Sequence, residues 1–300
     1  MDTEKIEKKT REIFHKIHSE QASDEDIYKR LTSMYSHEYF HVNEEFFRDK
    51  ICLDAGCGSN ANGTKALLDL GAKKVYAFDL DESIFEISPK ILKKFEGKYE
   101  LKIGNVLDIP YEDDFFDFVF CSGVLHHTTD LFKGLSELSR VTKHGGTLYF
   151  STLGAGGVFS KITKVFREEY SENTSFQSLI DNLTEQKIIK LINWIYTDLE
   201  KHNESLINEI PLDVITSLID NDLILTIKDR ITAPIYQETP MENIVNWLEK
   251  NKFVEIERLT RYPKFNNIRK FLSPLYHNYE SDLSKILFNE GFLQIKALKK

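Results

Sequence analysis

From Lys50 to Leu153 short apolar runs take turns with amphipathic stretches: KICLDAG, KALLDLG, KKVYAFD, IFEISPKILKKF, YELKIGN, FFDFVFCSG, DLFKGLSELSRV and GTLYFSTL. The runs ICL, VYAF and FVF show no polar alternation, so they suit strands covered on both faces. Strands separated by helical segments of about ten residues need crossover connections, and crossovers align strands in parallel. An α/β fold with a doubly wound, mostly parallel sheet is therefore expected, its core over residues 48–154.

The flanks have a different texture. Residues 1–47 read as an N-terminal helical arm: Ile6, Ile13, Phe14 and Ile17 recur at helical spacing, and Ser23 is a candidate N-cap before DEDIYKRLTSMY. Residues 155–235 read as a helical insert. Its clearest piece, EQKIIKLINWIYTDLE, sets Ile188, Leu191, Ile192, Ile195 and Leu199 on one apolar stripe. Residues 236–300 return to the alternating pattern. Thr239 and Pro240 open the helix MENIVNWLEKN, and FVEIERLTRY and FLQIKALKK read as strands that complete the core sheet.

Charge narrows the partners. With 39 basic and 48 acidic residues the chain carries a formal charge of -9, and nucleic acids and anionic membranes are gripped chiefly through clustered positive charge. Neither is expected as a partner. Small substrates or another protein are expected instead, with a homo-oligomer left open. Cys52, Cys57 and Cys121 form no CxxC pair and are odd in number, a usage that fits a reducing compartment. The opening MDTEKIEKKTREIF has no long apolar run, so neither a signal peptide nor a membrane anchor is expected there. The expected location is the cytoplasm.

In a doubly wound sheet, ligands lie beyond the carboxyl ends of the strands, beside the first strand-to-helix turn. Here that turn is ICLDAGCGSNANG. Gly56 and Gly58 remove side chains that would hold a ligand away from the backbone. Asp79 ends the second strand 23 residues after Gly56, where an acidic side chain can accept hydrogen bonds from both hydroxyls of a ribose. Together they imply an adenosine-type cofactor. Because GCGSNA also fits the looser pattern of nicotinamide and flavin enzymes, the turn alone leaves a nicotinamide-dependent oxidoreductase open.

Three residue groups carry a resemblance that narrows the choice. Asp54, Gly56 and Gly58 match the acid-x-Gly-x-Gly first motif of the class I S-adenosylmethionine-dependent methyltransferases, with Asn60 where many members have another glycine. IGNVLDIPYEDDFFDFVFCSGVLHH resembles the family's "GDAxxLPFxDxxFDxVxxxxVLHH" nearly position for position. RVTKHGGTLYFST is similar to "RVLKPGGxLxxx", with His144 where proline is common. The resemblance covers residues 45–155, and 239–260 more loosely. It implies a Rossmann-like sheet, S-adenosyl-L-methionine as cofactor, and methyl transfer as the activity. It also places Asn105 where members carry an aspartate that accepts from the adenine amino group, and the amide of Val106 beside the neighbouring ring nitrogen. Cys57 and Cys121 are both expected near the cofactor cleft as small packing residues, Cys121 in contact with the cofactor.

A methyl group on a sulfonium is already activated, so a general base is needed only when the nucleophile arrives protonated. His126 and His127 are the candidate catalytic residues by topology. They differ in direction by about 100° on a helix, so at most one faces the substrate, and a capping or packing role is the alternative for each. In YSHEYFH, helical spacing would pair Tyr35 with Tyr39 as a lid over the cofactor or as core, and His37 with His41. No third metal ligand has a recognisable spacing, so no metal is expected. Phe159, Phe166, Tyr170, Phe176, Trp194 and Tyr196 either roof an acceptor pocket or form the insert's own core. A non-catalytic cofactor-binding protein on the same fold is the remaining alternative.

Overall fold

The computed structural model describes residues 3–202, 212–260, 267–277 and 280–300. At its centre is a seven-stranded sheet in the order β3-β2-β1-β4-β5-β7-β6. The strands are β1 (Ile51–Ala55), β2 (Lys74–Asp79), β3 (Tyr99–Ile103), β4 (Phe116–Ser122), β5 (Thr142–Leu153), β6 (Phe253–Arg258) and β7 (Phe292–Lys299). The first five pair in parallel, whereas β7 runs antiparallel to both β5 and β6. The strand order reverses at β1, where β2 and β4 flank it, and such a switch point opens a crevice at the strand ends.

Each face of the sheet buries its own apolar layer. On one side Leu131, Leu135, Leu138 and Val141 of helix α5 (Leu131–Val141) and Ile244 and Leu248 of the helix Met241–Lys250 cover Leu53, Val119 and Phe150. On the other, Tyr35, Tyr39, Phe40, Phe47 and Leu67 pack on Cys52, Phe118, Phe120 and Tyr149. Each such side chain contributes about 1.5–3 kcal/mol. The arm thus supplies four large aromatic side chains of that layer.

The arm differs in detail from its expected form. Helix α1 runs Thr3–Ser23 and helix α2 Glu25–Ser33, so Ser23 closes the first helix, and Asp24 caps the second by accepting from the Ile27 amide at 3.0 Å. Residues 37–41 form turns and 35–36 have no regular structure, so the shared helix face assumed for YSHEYFH does not exist. Tyr39 is core: its hydroxyl lies 2.7 Å from that of Tyr149 and donates to Gln294 Oε1 at 2.6 Å. His37 reaches the Leu70 carbonyl and His41 reaches Glu257, so the two imidazoles have separate partners.

The insert holds α6 (Gly157–Glu172), α7 (Thr174–Asp181), α8 (Glu185–Lys201), and the helices Leu212–Thr216 and Asn221–Thr232. Tyr170, Ile180 and Ile231 make a small core there, with Phe176 against it. Periodicity identified the α8 stripe but not its direction. Leu191, Trp194, Ile195 and Leu199 are exposed, Trp194 by 67%.

Candidate functional site

After β1 the chain turns through Gly56 at φ +76° and Gly58 at φ +60°, a region costly for any residue with a Cβ. The surroundings exclude a side chain as well. A Cβ on Gly56 would lie 2.5 Å from Val124 Cγ2, and one on Gly58 would lie 2.5 Å from His18 Nδ1 of the arm. The amides of Gly56 and Cys57 both donate to the Phe78 carbonyl. Asp79 holds the turn from the next strand: its Oδ2 accepts from the Gly58 amide at 2.8 Å and its Oδ1 from the Asp81 amide at 3.0 Å.

Asp54 lies beneath this turn, buried, with Oδ2 accepting from the Thr64 hydroxyl at 2.7 Å. Burial pushes its pKa up to about 7 against the lowering effect of the Thr64 bonds. It ties the turn to helix α3 (Asn62–Asp69) and does not line the adjoining cavity.

That cavity is bounded on the sheet side by Gly56, Asp79, Asn105, Val106, Ser122 and His127 and on the other by Glu7, Thr10, Phe14 and His18 of α1. Its volume is about 130 Å³, below the roughly 300–1,000 Å³ of small-molecule sites. Helix α1 is closed down on it. Burial lowers the His18 pKa, opposed by Asp79, Asp229 and Asp81, and burial raises that of Asp79, opposed by His18.

Two residues placed here by sequence differ from expectation. The Asn105 carbonyl accepts from the Leu107 amide at 2.9 Å, and its amide donates to Glu7 Oε1 at 2.7 Å. The carboxylate on this wall therefore comes from the arm. Cys121 is fully buried in the apolar layer and absent from the wall; burial pushes its thiol pKa up. Side chains alternate along a strand, so Ser122 takes the place beside the cavity, with its hydroxyl 3.0 Å from those of Tyr35 and Ser151.

His126 and His127 lie in a single 3-10 turn, Leu125–His127, with ring centroids 4.1 Å apart. His127 Nδ1 lies 2.8 Å from the Ile235 carbonyl, which can only accept, so that nitrogen carries a proton. Its Nε2 is 3.4 Å from Asp229 Oδ1. His126 is 4% exposed, its Nδ1 has no hydrogen-bond partner, and burial, with His127 and Arg230, lowers its pKa well below the usual value. It is a neutral imidazole.

The pair separates two cavities. His127 lines the first, and His126 lines a second of about 350 Å³. Its walls come from three parts of the chain: Gln21, Arg30 and Met34 of the arm, Phe159, Asp222, Asp229 and Arg230 of the insert, and Arg269, Ser273, Tyr276, Phe288 and Phe292 near the C-terminus. Of the insert rings singled out by sequence, Phe159 alone lines it. The arginines carried no motif, and nothing in their local sequence marks them as neighbours.

Comparison with known proteins bears on the first cavity. Residues 53–150 match the methyltransferase domain family. A tRNA U34 carboxymethyltransferase of Nautilia profundicola is 28% identical over 195 residues, 63% of this chain and 63% of that protein. A demethylmenaquinone methyltransferase of Bacillus mycoides is 30% identical over 148 residues, 47% of this chain and 60% of that one. In both cases the chain spans less than two thirds of the relative's length. The structure of Burkholderia thailandensis 1,6-didemethyltoxoflavin-N1-methyltransferase shares the fold, with a TM-score of 0.50 and 14% identity over 100% of this chain and 91% of that one.

Proposed function

We propose that the chain, whose residues 53–150 match the methyltransferase domain family, is a class I S-adenosylmethionine-dependent methyltransferase that transfers a methyl group to a small-molecule acceptor held in the second cavity. The observation that carries this reading is the juxtaposition of a second cavity of about 350 Å³ with the cofactor wall across the His126–His127 turn. An acceptor of modest size fits such a space, while the acidic chain offers little to a polyanion. Three buried free thiols suit a cytoplasmic setting, and among the described residues no helix is long and apolar enough to cross a membrane.

The first cavity, smaller than the cofactor while α1 covers it, carries the residues the cofactor would need. Gly56 presents bare backbone to it, and Asp79 lines it with each oxygen already accepting one amide, leaving lone pairs for a ribose. Glu7 and Asn105 lie on the wall assigned to adenine by the resemblance, with the Val106 amide beside them. When bound, S-adenosylmethionine supplies the activated methyl group. The chain's own task is to align the nucleophile, a contribution of about 7–11 kcal/mol. His126, neutral and a weak base on the acceptor side, can accept a hydrogen bond from the acceptor and so orient it, whereas His127 is held by Ile235 and Asp229 and keeps its ring in place on the cofactor side.

Incubation with isotope-labelled S-adenosylmethionine and fractions of a cell extract tests the reading. Label is expected in a low-molecular-mass product; label retained in RNA or protein overturns the small-molecule assignment. Trp194→Ala is expected to leave Michaelis constants and turnover within about twofold, since the ring faces solvent. A larger loss would return the α8 face to the acceptor site.

The Glu7 contact revises what an acidic residue at position 105 should do. Asn105→Asp would set two carboxylates at the 2.7 Å contact, and like charges that close repel. We expect it to weaken S-adenosylhomocysteine binding about tenfold, or about 1.4 kcal/mol, and Glu7→Gln in the same chain to restore most of the loss. Calorimetric titration of both variants measures this; a single variant that binds as wild type removes Glu7 from the site.

A further inference from the structure

We propose that the acceptor carries a carboxylate, recognised by Arg230 in the second cavity. The inference rests on the reading of that cavity as the acceptor site and names the chemistry it selects. Arg30, Arg230, Arg269, Asp222 and Asp229 are the charged side chains on its wall, giving three positive charges against two negative ones, with His126 neutral. This excess occurs in a chain of formal charge -9.

The arginines are not equivalent. Arg30 and Arg269 are both committed to Asp222, at 2.7 and 2.8 Å on its two oxygens. Arg269 also donates to the Thr226 hydroxyl. Arg230 differs: among the described residues no carboxylate lies within salt-bridge distance of it. Its guanidinium donates to the Tyr236 hydroxyl at 3.3 Å and stands 5.2 Å from the Tyr276 ring centre. Asp229, the nearest acid in sequence, faces His127 instead. Tyr236, Tyr276 and the longer-range attraction of Asp229 already favour the charged guanidinium, and an arriving carboxylate adds a full counter-charge through two parallel hydrogen bonds that match the planar fork.

Further polar atoms on the same wall lack a hydrogen-bond partner, Asp229 Oδ1 among them. The buried Ser273 hydroxyl and His126 Nδ1 have no hydrogen-bond partner. Phe159, Phe288 and Phe292 supply apolar surface for the rest of the molecule. A monoanion balances the excess of one positive charge. A dianionic phosphate would add a charge facing Asp222 and Asp229.

Full-length protein saturated with S-adenosylhomocysteine would be titrated calorimetrically with phenylacetate, phenylacetamide and phenyl phosphate. Phenylacetate is expected to bind at least tenfold more tightly than the amide and more tightly than the phosphate. Arg230→Gln should lower phenylacetate affinity at least tenfold while S-adenosylhomocysteine binds within twofold of wild type. Equal binding of acid and amide, tighter binding of the phosphate, no binding of phenylacetate, or an unaffected Arg230→Gln each overturns the proposal. If Arg230→Gln does not fold, the acid-to-amide ratio in wild-type protein decides. Failure to bind S-adenosylhomocysteine would sink the cofactor reading itself, which separates the two failures.

Discussion

Replacing Asp79 by alanine is expected to weaken S-adenosylhomocysteine binding by roughly 10–150-fold, the equivalent of about 1.5–3 kcal/mol for hydrogen bonds to a charged group. Two effects combine. The ribose hydroxyls lose their ionised acceptor, and the amides of Gly58 and Asp81, now bonded at 2.8 and 3.0 Å, lose the carboxylate that shapes the turn. Asp79→Asn separates them: its carbonyl can serve one amide, but its NH₂ must face the other. Asparagine should therefore fall between wild type and alanine. Circular dichroism and thermal melting establish that each variant is folded. A folded Asp79→Ala with unchanged affinity means that the ribose is anchored elsewhere.

What was legible in the sequence follows from which signals are local. Buried parallel strands announce themselves as short apolar runs, and β1, β2 and β4 lie where ICLDA, KVYAFD and FDFVFCS suggest. The glycine turn is equally local, since positive φ and the approach of Val124 and His18 are demands only glycine meets. Parity along a strand is less forgiving. Cys121 in the core and Ser122 at the cavity are neighbours in the chain.

Contacts between distant segments leave no local trace. Glu7 meets Asn105 across 98 positions, and Arg30 and Arg269 converge on Asp222 from opposite ends of the chain. None of the three segments has a pattern that names the others. The α8 stripe shows the complementary limit: a 3.6-residue period reveals that a helix has an apolar face, while the direction of that face depends on where neighbouring helices dock. His126 and His127 are an intermediate case. Their proximity to the site was readable from topology, but their division between two cavities depends on the 3-10 turn that holds them.

Asp54 gives the second large expected effect. Burial lifts its folded-state pKa from 3.8 to about 7, so the folded chain retains a proton that the unfolded chain releases. The stability this contributes is fully present below pH 3.8 and is lost as pH rises through about 7. One pH unit corresponds to about 1.4 kcal/mol, giving a total on the order of 4 kcal/mol across the window. Asparagine has nearly the same shape, does not ionise, and can still accept from the Thr64 hydroxyl. Asp54→Asn should therefore lack this slope, matching wild type near pH 4 and exceeding it at pH 8. Comparing the two chains cancels titrations they share; Asp79, whose charge also raises the Asp54 pKa, leaves a smaller residual difference. Because Asp54 does not line the cavity, affinity for S-adenosylhomocysteine should stay within about twofold, or roughly 0.4 kcal/mol. Urea unfolding curves from pH 4 to pH 8 test the slope: parallel curves would show that Asp54 ionises normally in the fold, and a large loss of affinity would show that it contacts the cofactor directly.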